Sequence, residues 1–145
     1  MVREVARRLG GRRTFHRDIS TERELIAAVR AGLPAVALDY FVTAFGAAAI
    51  TQAEIFGLIG STRTLQRKRS ERRPLSPDES DRLARLARVL VRAEDALANP
   101  DAARRWLIKP NRVLGGERPL SLLDSDTGAS AVERELGRIE HGVFS

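Results

Sequence analysis

Residues 51–80, TQAEIFGLIGSTRTLQRKRSERRPLSPDES, contain the pattern that decides the fold. Thr51 and Glu54 match a capping box, in which two side chains satisfy free backbone N–H groups, so a helix is expected to begin here. The IGS at residues 59–61 predicts a tight turn, and a second helix is expected over residues 62–70. Two short helices joined by such a turn, the second basic and polar, are typical of a helix-turn-helix DNA-binding motif.

A third, longer helix is expected directly after this basic stretch. Ser76 and Glu79 form another capping box, and Pro77 falls in the first turn, where a helix tolerates proline best. Apolar residues then follow at spacings of three and four, which predicts one buried seam. The seam residues are Leu83, Leu86, Leu90, Ala93 and Leu97. The outer face carries four arginines that we expect to be solvated: Arg82, Arg85, Arg88 and Arg92.

The remaining segments also favour helices, and no stretch alternates like an amphipathic strand. STERELIAAVRAG, residues 20–32, offers a cap at Ser20 or Thr21 and a terminating glycine. AVALDYFVTAFG, residues 35–46, places its large apolar side chains on one stripe. We therefore predict an all-α chain.

Composition and charge narrow the class of protein. The 145 residues are 43% hydrophobic and carry a net charge of +6, with no Cys and two His. No Cys excludes disulfide and thiolate chemistry, and no apolar run reaches the length of a membrane span, so a cytoplasmic protein without membrane contact is expected. Neither His pairs with a nucleophile, and no metal ligands cluster. We therefore expect no enzyme activity, no catalytic residue, no metal and no cofactor.

The charge is unevenly distributed. Residues 1–20 carry +4, residues 60–75 carry +5 and residues 111–145 carry −2. We expect residues 1–20 to be a flexible basic tail, with an Arg-rich transit peptide as the alternative. A basic first half and an acidic end suggest two surfaces with different partners.

The helix at residues 62–70 has two chemically different faces. At about 100° per residue, Leu65 points away from the polar face and into the core. The polar face consists of Arg63, Gln66, Arg67 and Ser70. Arginine suits guanine and glutamine suits adenine in the major groove.

Other residues near this helix suit phosphates better than bases, because they offer charge or hydroxyl groups at its flanks. They are Thr62, Thr64, Arg69, Arg72 and Arg73. The alternative is a charged helix that is merely solvated. Helix-turn-helix proteins usually bind pseudo-palindromic DNA as dimers, so a homodimer is expected.

The second half of the chain resembles the toxin-binding domain of the Xre/MbcA/ParS family of antitoxins. The landmarks are ESDRL, AARRWL, PN followed by LGG and PLSLL, TGA, and LGRIEHGV, in this order. The first half is similar to the Xre-type helix-turn-helix that precedes this domain. One departure is Phe56, four residues after Gln52, where such helices commonly have a small residue.

The resemblance implies an antitoxin that blocks the active site of an NAD-consuming RES-domain toxin and represses the shared operon by binding operator DNA. The implied division is a Xre-like helix-turn-helix domain at residues 21–75 and a toxin-binding domain at residues 76–145. The implied toxin-binding residues form the C-terminal segment: Ile139, Glu140, His141, Gly142, Val143, Phe144 and Ser145.

The residues of this segment permit such a role. Phe144 could anchor in a cleft, and the terminal carboxylate could occupy a cationic pocket; the alternative is that Phe144 covers the core of this protein itself. The alternative function is a stand-alone helix-turn-helix regulator whose C-terminal domain only dimerises. An enzyme subunit or an RNA-binding adaptor has no supporting residues.

Overall fold

The computed structural model describes residues 1–46 and 50–142. Within these ranges the chain is helical without β-strands, so the all-α prediction is confirmed. The nine α-helices of the described ranges are α1 (Val2–Arg8), α2 (Arg12–Phe15), α3 (Glu22–Ala31), α4 (Val36–Phe45), α5 (Gln52–Gly57), α6 (Thr62–Ser70), α7 (Pro77–Leu97), α8 (Pro100–Ile108) and α9 (Asp126–Glu140). Two 3-10 helices cover Arg112–Leu114 and Pro119–Asp124.

The chain folds as two compact units, Met1–Ala87 and Arg88–Ser145, and the border between them falls inside α7. None of the helices in the described ranges combines the length and the apolar character needed to cross a membrane.

The N-terminal residues differ from the expected flexible tail. Val5 and Leu9 are buried, and α1 packs against α3 and α4. Gly10 has a φ of +110°, and a Cβ there would lie 2.5 Å from the ring of Tyr40, so only glycine allows this close approach. The Thr14 hydroxyl, also buried, donates to the carbonyl of Leu9. The sequence analysis did not predict this helix, because the apolar residues of α1 stand between arginines and their helical spacing is therefore inconspicuous.

The caps of the first unit match the sequence patterns. Thr21 forms a capping box with Glu24, which decides between the two possible caps of α3. The pKa of Glu24 is lowered to about 2, first by the Ser20 backbone N–H and then by Arg17 and Thr21. The boxes at the starts of α5 and α7 also form as predicted.

Among the described residues, the core of the first unit is apolar apart from the buried hydroxyls of Thr14 and Ser80. Phe41 and Phe56 are fully buried at its centre. The Ser80 hydroxyl accepts a hydrogen bond of 2.8 Å from the backbone N–H of Leu33. Leu33 in turn accepts 2.8 Å from the N–H of Leu75, so the segments before α4 and before α7 run together.

The second unit contains the end of α7, α8, both 3-10 helices and α9. Asn111 closes the LGG loop, because its side chain accepts from Val113 N–H and its carbonyl accepts from Gly116 N–H, at 2.9 and 2.8 Å. The start of α9 packs against the second 3-10 helix so closely that a Cβ on Gly128 would lie 1.9 Å from the Leu122 carbonyl oxygen. This contact explains the glycine of the TGA landmark.

Candidate functional site

The helix-turn-helix forms where the sequence places it. The second helix, α6, spans the predicted residues 62–70, and Ser61 caps it by accepting from Thr64 N–H. Leu65 is completely buried, so the predicted inward side chain is confirmed. Ile55 and Phe56 of α5 are buried too, and both helices therefore rest on the core of the first unit.

The polar face of α6 is open to solvent. Arg63, Gln66, Arg67 and Ser70 are all exposed, whereas Thr62 and Thr64 are half-buried. Among the described residues, neither Arg63 nor Arg67 has an acidic partner within ion-pair distance. Two guanidinium groups with free donors therefore project from one helix face, which suits both base edges and phosphates.

Arg69 differs from these two arginines, because its guanidinium is already engaged inside the first unit. It lies 3.2 Å from the Asp39 carboxylate of α4. The same group lies 5.9 Å from the centroid of the Phe56 ring, within cation–π distance. Phe56, which departs from the family pattern, is therefore part of the core and also contacts Arg69 of α6.

Arg72 and Arg73 follow the end of α6 and are exposed. Arg72 has a φ of +56°, so the backbone turns sharply after the helix. Arg73 lies 3.8 Å from the Glu71 carboxylate, a loose contact that leaves most of its donors free.

The first turns of α7 hold the helix-turn-helix in place, a feature that the sequence analysis missed. Lys68 Nζ lies 2.7 Å from the carboxylate of Glu79, and both side chains are less than one-fifth exposed. Arg82 donates to the carbonyl oxygen of Ile59 at 3.2 Å. A Cβ on Gly60 would lie 3.4 Å from the same Glu79 carboxylate, so the turn and α7 are in close contact.

The charge of Glu79 is stabilised by its partners. Burial alone would raise the pKa of this carboxyl. The Lys68 ammonium and the N–H and hydroxyl groups of Ser76 outweigh that effect, so the pKa lies below its ordinary value. Glu79 therefore completes the capping box of α7 with Ser76 and at the same time binds Lys68 of α6.

Of the four α7 arginines that the sequence predicts to be solvated, Arg88 is exposed, and the other three are not. Arg82 and Arg92 are half-buried, and the Arg85 side chain is only 11% exposed. Arg88 binds Glu133 of α9 through two hydrogen bonds of 2.8 and 3.3 Å. The expectation is wrong for Arg82, Arg85 and Arg92, and Arg82 shows one reason, because the carbonyl of Ile59, distant in sequence, accepts from it.

The predicted toxin-binding residues begin at the end of α9. Ile139 is half-buried, whereas Glu140, His141 and Gly142 are exposed. His141 Nδ1 lies 2.7 Å from the Gly137 carbonyl oxygen. A carbonyl only accepts, so Nδ1 carries the proton and Nε2 is left for another partner. The other predicted residues, Val143, Phe144 and Ser145, lie outside the described residues.

Two family models match the chain, one on each half. Residues 92–142 match the antitoxin Xre/MbcA/ParS C-terminal toxin-binding domain, and residues 24–88 match the antitoxin Xre-like helix-turn-helix domain. The chain is therefore similar to both modules that its sequence landmarks indicated.

Curated relatives agree with these matches. An antitoxin Xre of Photorhabdus laumondii is 35% identical over 92% of this chain and 89% of its own length. Another from Yersinia enterocolitica is 41% identical over 68% of each chain, and a Prs ADP-ribosylating antitoxin of a Sphingobium species is 29% identical over 83% of this chain and 80% of its own. The chain belongs to the Xre/MbcA/ParS family of antitoxins and is a type II antitoxin with a helix-turn-helix domain and a toxin-binding domain.

Proposed function

We propose that this antitoxin blocks the active site of an NAD-consuming RES-domain toxin and represses its own operon. The observation that carries the proposal is that each of the two units has an exposed surface of its own. One is the α6 face around Arg63 and Arg67, and the other is the end of α9 around His141. Each lies in a region that matches the corresponding family model.

The DNA-binding part of the proposal rests on free positive charge held in a fixed place. Arg63, Gln66 and Arg67 would read base edges, while Thr62, Thr64, Arg72 and Arg73 would contact phosphates. Arg69 would act mainly by positioning α6, because Asp39 and Phe56 already hold it. We propose residues 21–75 as the DNA-reading region, braced by the start of α7, and a homodimer as the binding species.

The toxin-binding part assigns inhibition to residues 76–145 and the plug to residues 139–145. The name of the Sphingobium relative supports an NAD-consuming partner, because ADP-ribosylation draws its ADP-ribose from NAD. The exposed Glu140 and His141 at the end of α9 would approach the toxin first. The antitoxin itself would need no cofactor and carry out no catalysis.

Coexpression with the adjacent gene product, followed by sizing of the purified complex, tests the partnership. A stable complex that no longer consumes NAD is expected. If no neighbouring protein binds, the alternative holds, in which the chain is a stand-alone regulator whose C-terminal domain only dimerises.

Removing residues 142–145 tests the plug separately. The truncated chain should bind operator DNA normally but restore growth of toxin-expressing cells poorly. Full rescue by the truncated chain would overturn the plug and leave the DNA-binding proposal intact.

The salt dependence of operator binding tests the DNA-binding part. A log–log salt slope of roughly one per phosphate contact is expected, and an affinity that does not change with salt would contradict this part of the proposal.

A further inference from the structure

The N-terminal segment, which the proposed function does not use, forms a cleft of about 530 Å³ in the first unit. Four arginines line this N-terminal cleft, against one acid, Asp18. The arginines are Arg3, Arg7, Arg12 and Arg17. Glu4, Asp18 and Glu24 pair with Arg7, Arg12 and Arg17, so among the described residues the excess positive charge at the cleft is that of Arg3.

We propose that the N-terminal cleft binds phosphate groups, those of a nucleoside polyphosphate or those of a DNA backbone. Arginine is the residue best suited to phosphate, because its planar guanidinium offers five donors in a fixed fork. The lining of this site contains no residue of α6, and the site does not depend on the proposed toxin.

The guanidinium groups are oriented but not saturated. Arg7 Nη1 lies 3.2 Å from Glu4, and Arg12 Nη1 lies 3.0 Å from Asp18. Arg17 bonds to Glu24 through its Nη2. Each of these contacts uses one terminal nitrogen and leaves the other N–H groups available. The acids therefore hold the arginines in place while the remaining donors can meet an anion.

Arg3 adds a charge that no acid balances. It has no ion-pair partner among residues 1–46 and 50–142, although it lines the cleft. It also lies one helical turn before Arg7 in α1, where like charges repel and weaken a helix. An anion bound between the two guanidinium groups would offset this repulsion, so anion binding is expected to stabilise α1.

The floor of the cleft is packed and partly apolar. Ala6 and Ile19 line it and are 3% and 6% exposed. Gly10 against Tyr40 and the Thr14 hydrogen bond fix the turn between α1 and α2. A preformed site loses less entropy on binding. Its volume lies in the range of small-molecule pockets, about 300–1,000 Å³, so there is room for several phosphates or for a phosphate and a sugar.

The test compares two variants of equal charge. The cleft variant is Arg3→Gln/Arg12→Gln, and the control is Arg23→Gln/Arg30→Gln, which removes two exposed arginines of α3 outside the cleft. Calorimetry with tripolyphosphate and with ATP gives the affinity, and circular dichroism confirms that both variants remain helical. We expect the cleft variant to bind these probes at least about tenfold more weakly than the control.

A second arm identifies the source of the phosphate. Operator DNA is titrated at several salt concentrations with both variants. A salt slope that falls by about two in the cleft variant alone, with weak tripolyphosphate binding throughout, assigns the site to the DNA backbone. If the two variants bind tripolyphosphate equally and share one salt slope, the attraction is that of a basic chain in general and the proposal is overturned.

Discussion

Two arginines of α6 and two of α7 look alike in the sequence but differ in their partners in the structure. Arg63 and Arg67 of α6 are exposed and have no acidic partner among the described residues. Arg82 and Arg88 of α7 instead bind the Ile59 carbonyl and the Glu133 carboxylate. Whether an arginine is engaged or free therefore depends on the acids and carbonyls that other helices and loops place near it. The density of charge in the local sequence does not reveal these partners.

The largest expected effect is on DNA binding by α6. Replacing Arg63 and Arg67 with Ala should weaken operator binding by about 2–6 kcal/mol, because each arginine could supply a base contact worth about 1–3 kcal/mol. Thermal stability should hardly change, since both side chains are exposed. Fluorescence anisotropy with labelled operator DNA measures the affinity. Arg23→Ala/Arg30→Ala removes the same charge from exposed positions of α3; an equal loss there would show that charge, and not the α6 face, decides binding.

The next largest effect is on stability through Glu79. Glu79→Gln should destabilise the first unit by about 2 kcal/mol, because a half-buried Lys68 ammonium loses its partner. Urea unfolding followed by circular dichroism measures the change. Asp78→Asn is the matched control, since Asp78 lies in the same turn but is exposed. Equal destabilisation by both would mean that the ion pair to α6 contributes nothing.

Arg82 should contribute about half as much. Arg82→Gln removes the hydrogen bond to the Ile59 carbonyl, worth about 1 kcal/mol. Hydrogen exchange of the amides in the turn at residues 59–61 should accelerate more than exchange in α3. If the exchange rates of these amides do not change, Arg82 contributes no hydrogen bond that stabilises the turn.

Low pH should weaken the ion pair between Glu79 and Lys68. The pKa of Glu79 is below its ordinary value of 4.5, so ionised Glu79 adds stability above that pH, and the contribution is lost as the pH falls through the folded-state pKa. Below pH 4.5 the free energy of unfolding should decline more steeply for the wild type than for Glu79→Gln. Glu24, also shifted downward, is present in both chains and cancels in the comparison. Parallel curves would contradict the assignment.

The smallest effect is expected at the Arg88–Glu133 pair, because Arg88 is 44% exposed and solvent screens the interaction. A double-mutant cycle with Arg88→Ala and Glu133→Ala should give a coupling of about 0.2–1 kcal/mol. A coupling above that range would place Arg88 with the strongly structural cations of α7.

The local features of the fold could be predicted from the sequence because they depend on neighbouring residues. The capping boxes of α5 and α7, the bounds of α6 and the inward Leu65 all follow from spacings of three or four. The family landmarks similarly indicated both modules, which the family matches confirmed.

The rest could not be predicted, because it depends on contacts between residues distant in sequence. Arg69 meets Asp39, 30 positions earlier, and Arg88 meets Glu133, 45 positions later. The N-terminal helix was missed for a different reason: α1 carries its apolar residues between arginines, and its stability comes from packing on α3 and α4. The base contacts of Arg63 and Gln66 and the toxin contacts of residues 139–145 stay predictions.

The tight contact of Gly128 with the Leu122 carbonyl offers a way to make a conditional allele. A methyl group at that position has no space unless α9 shifts away from the second 3-10 helix. A Gly128→Ala chain should therefore lose the packing of α9 in its second unit on mild warming. Cells carrying it are expected to lose toxin binding at the higher temperature, so warming would set the moment at which the toxin is released.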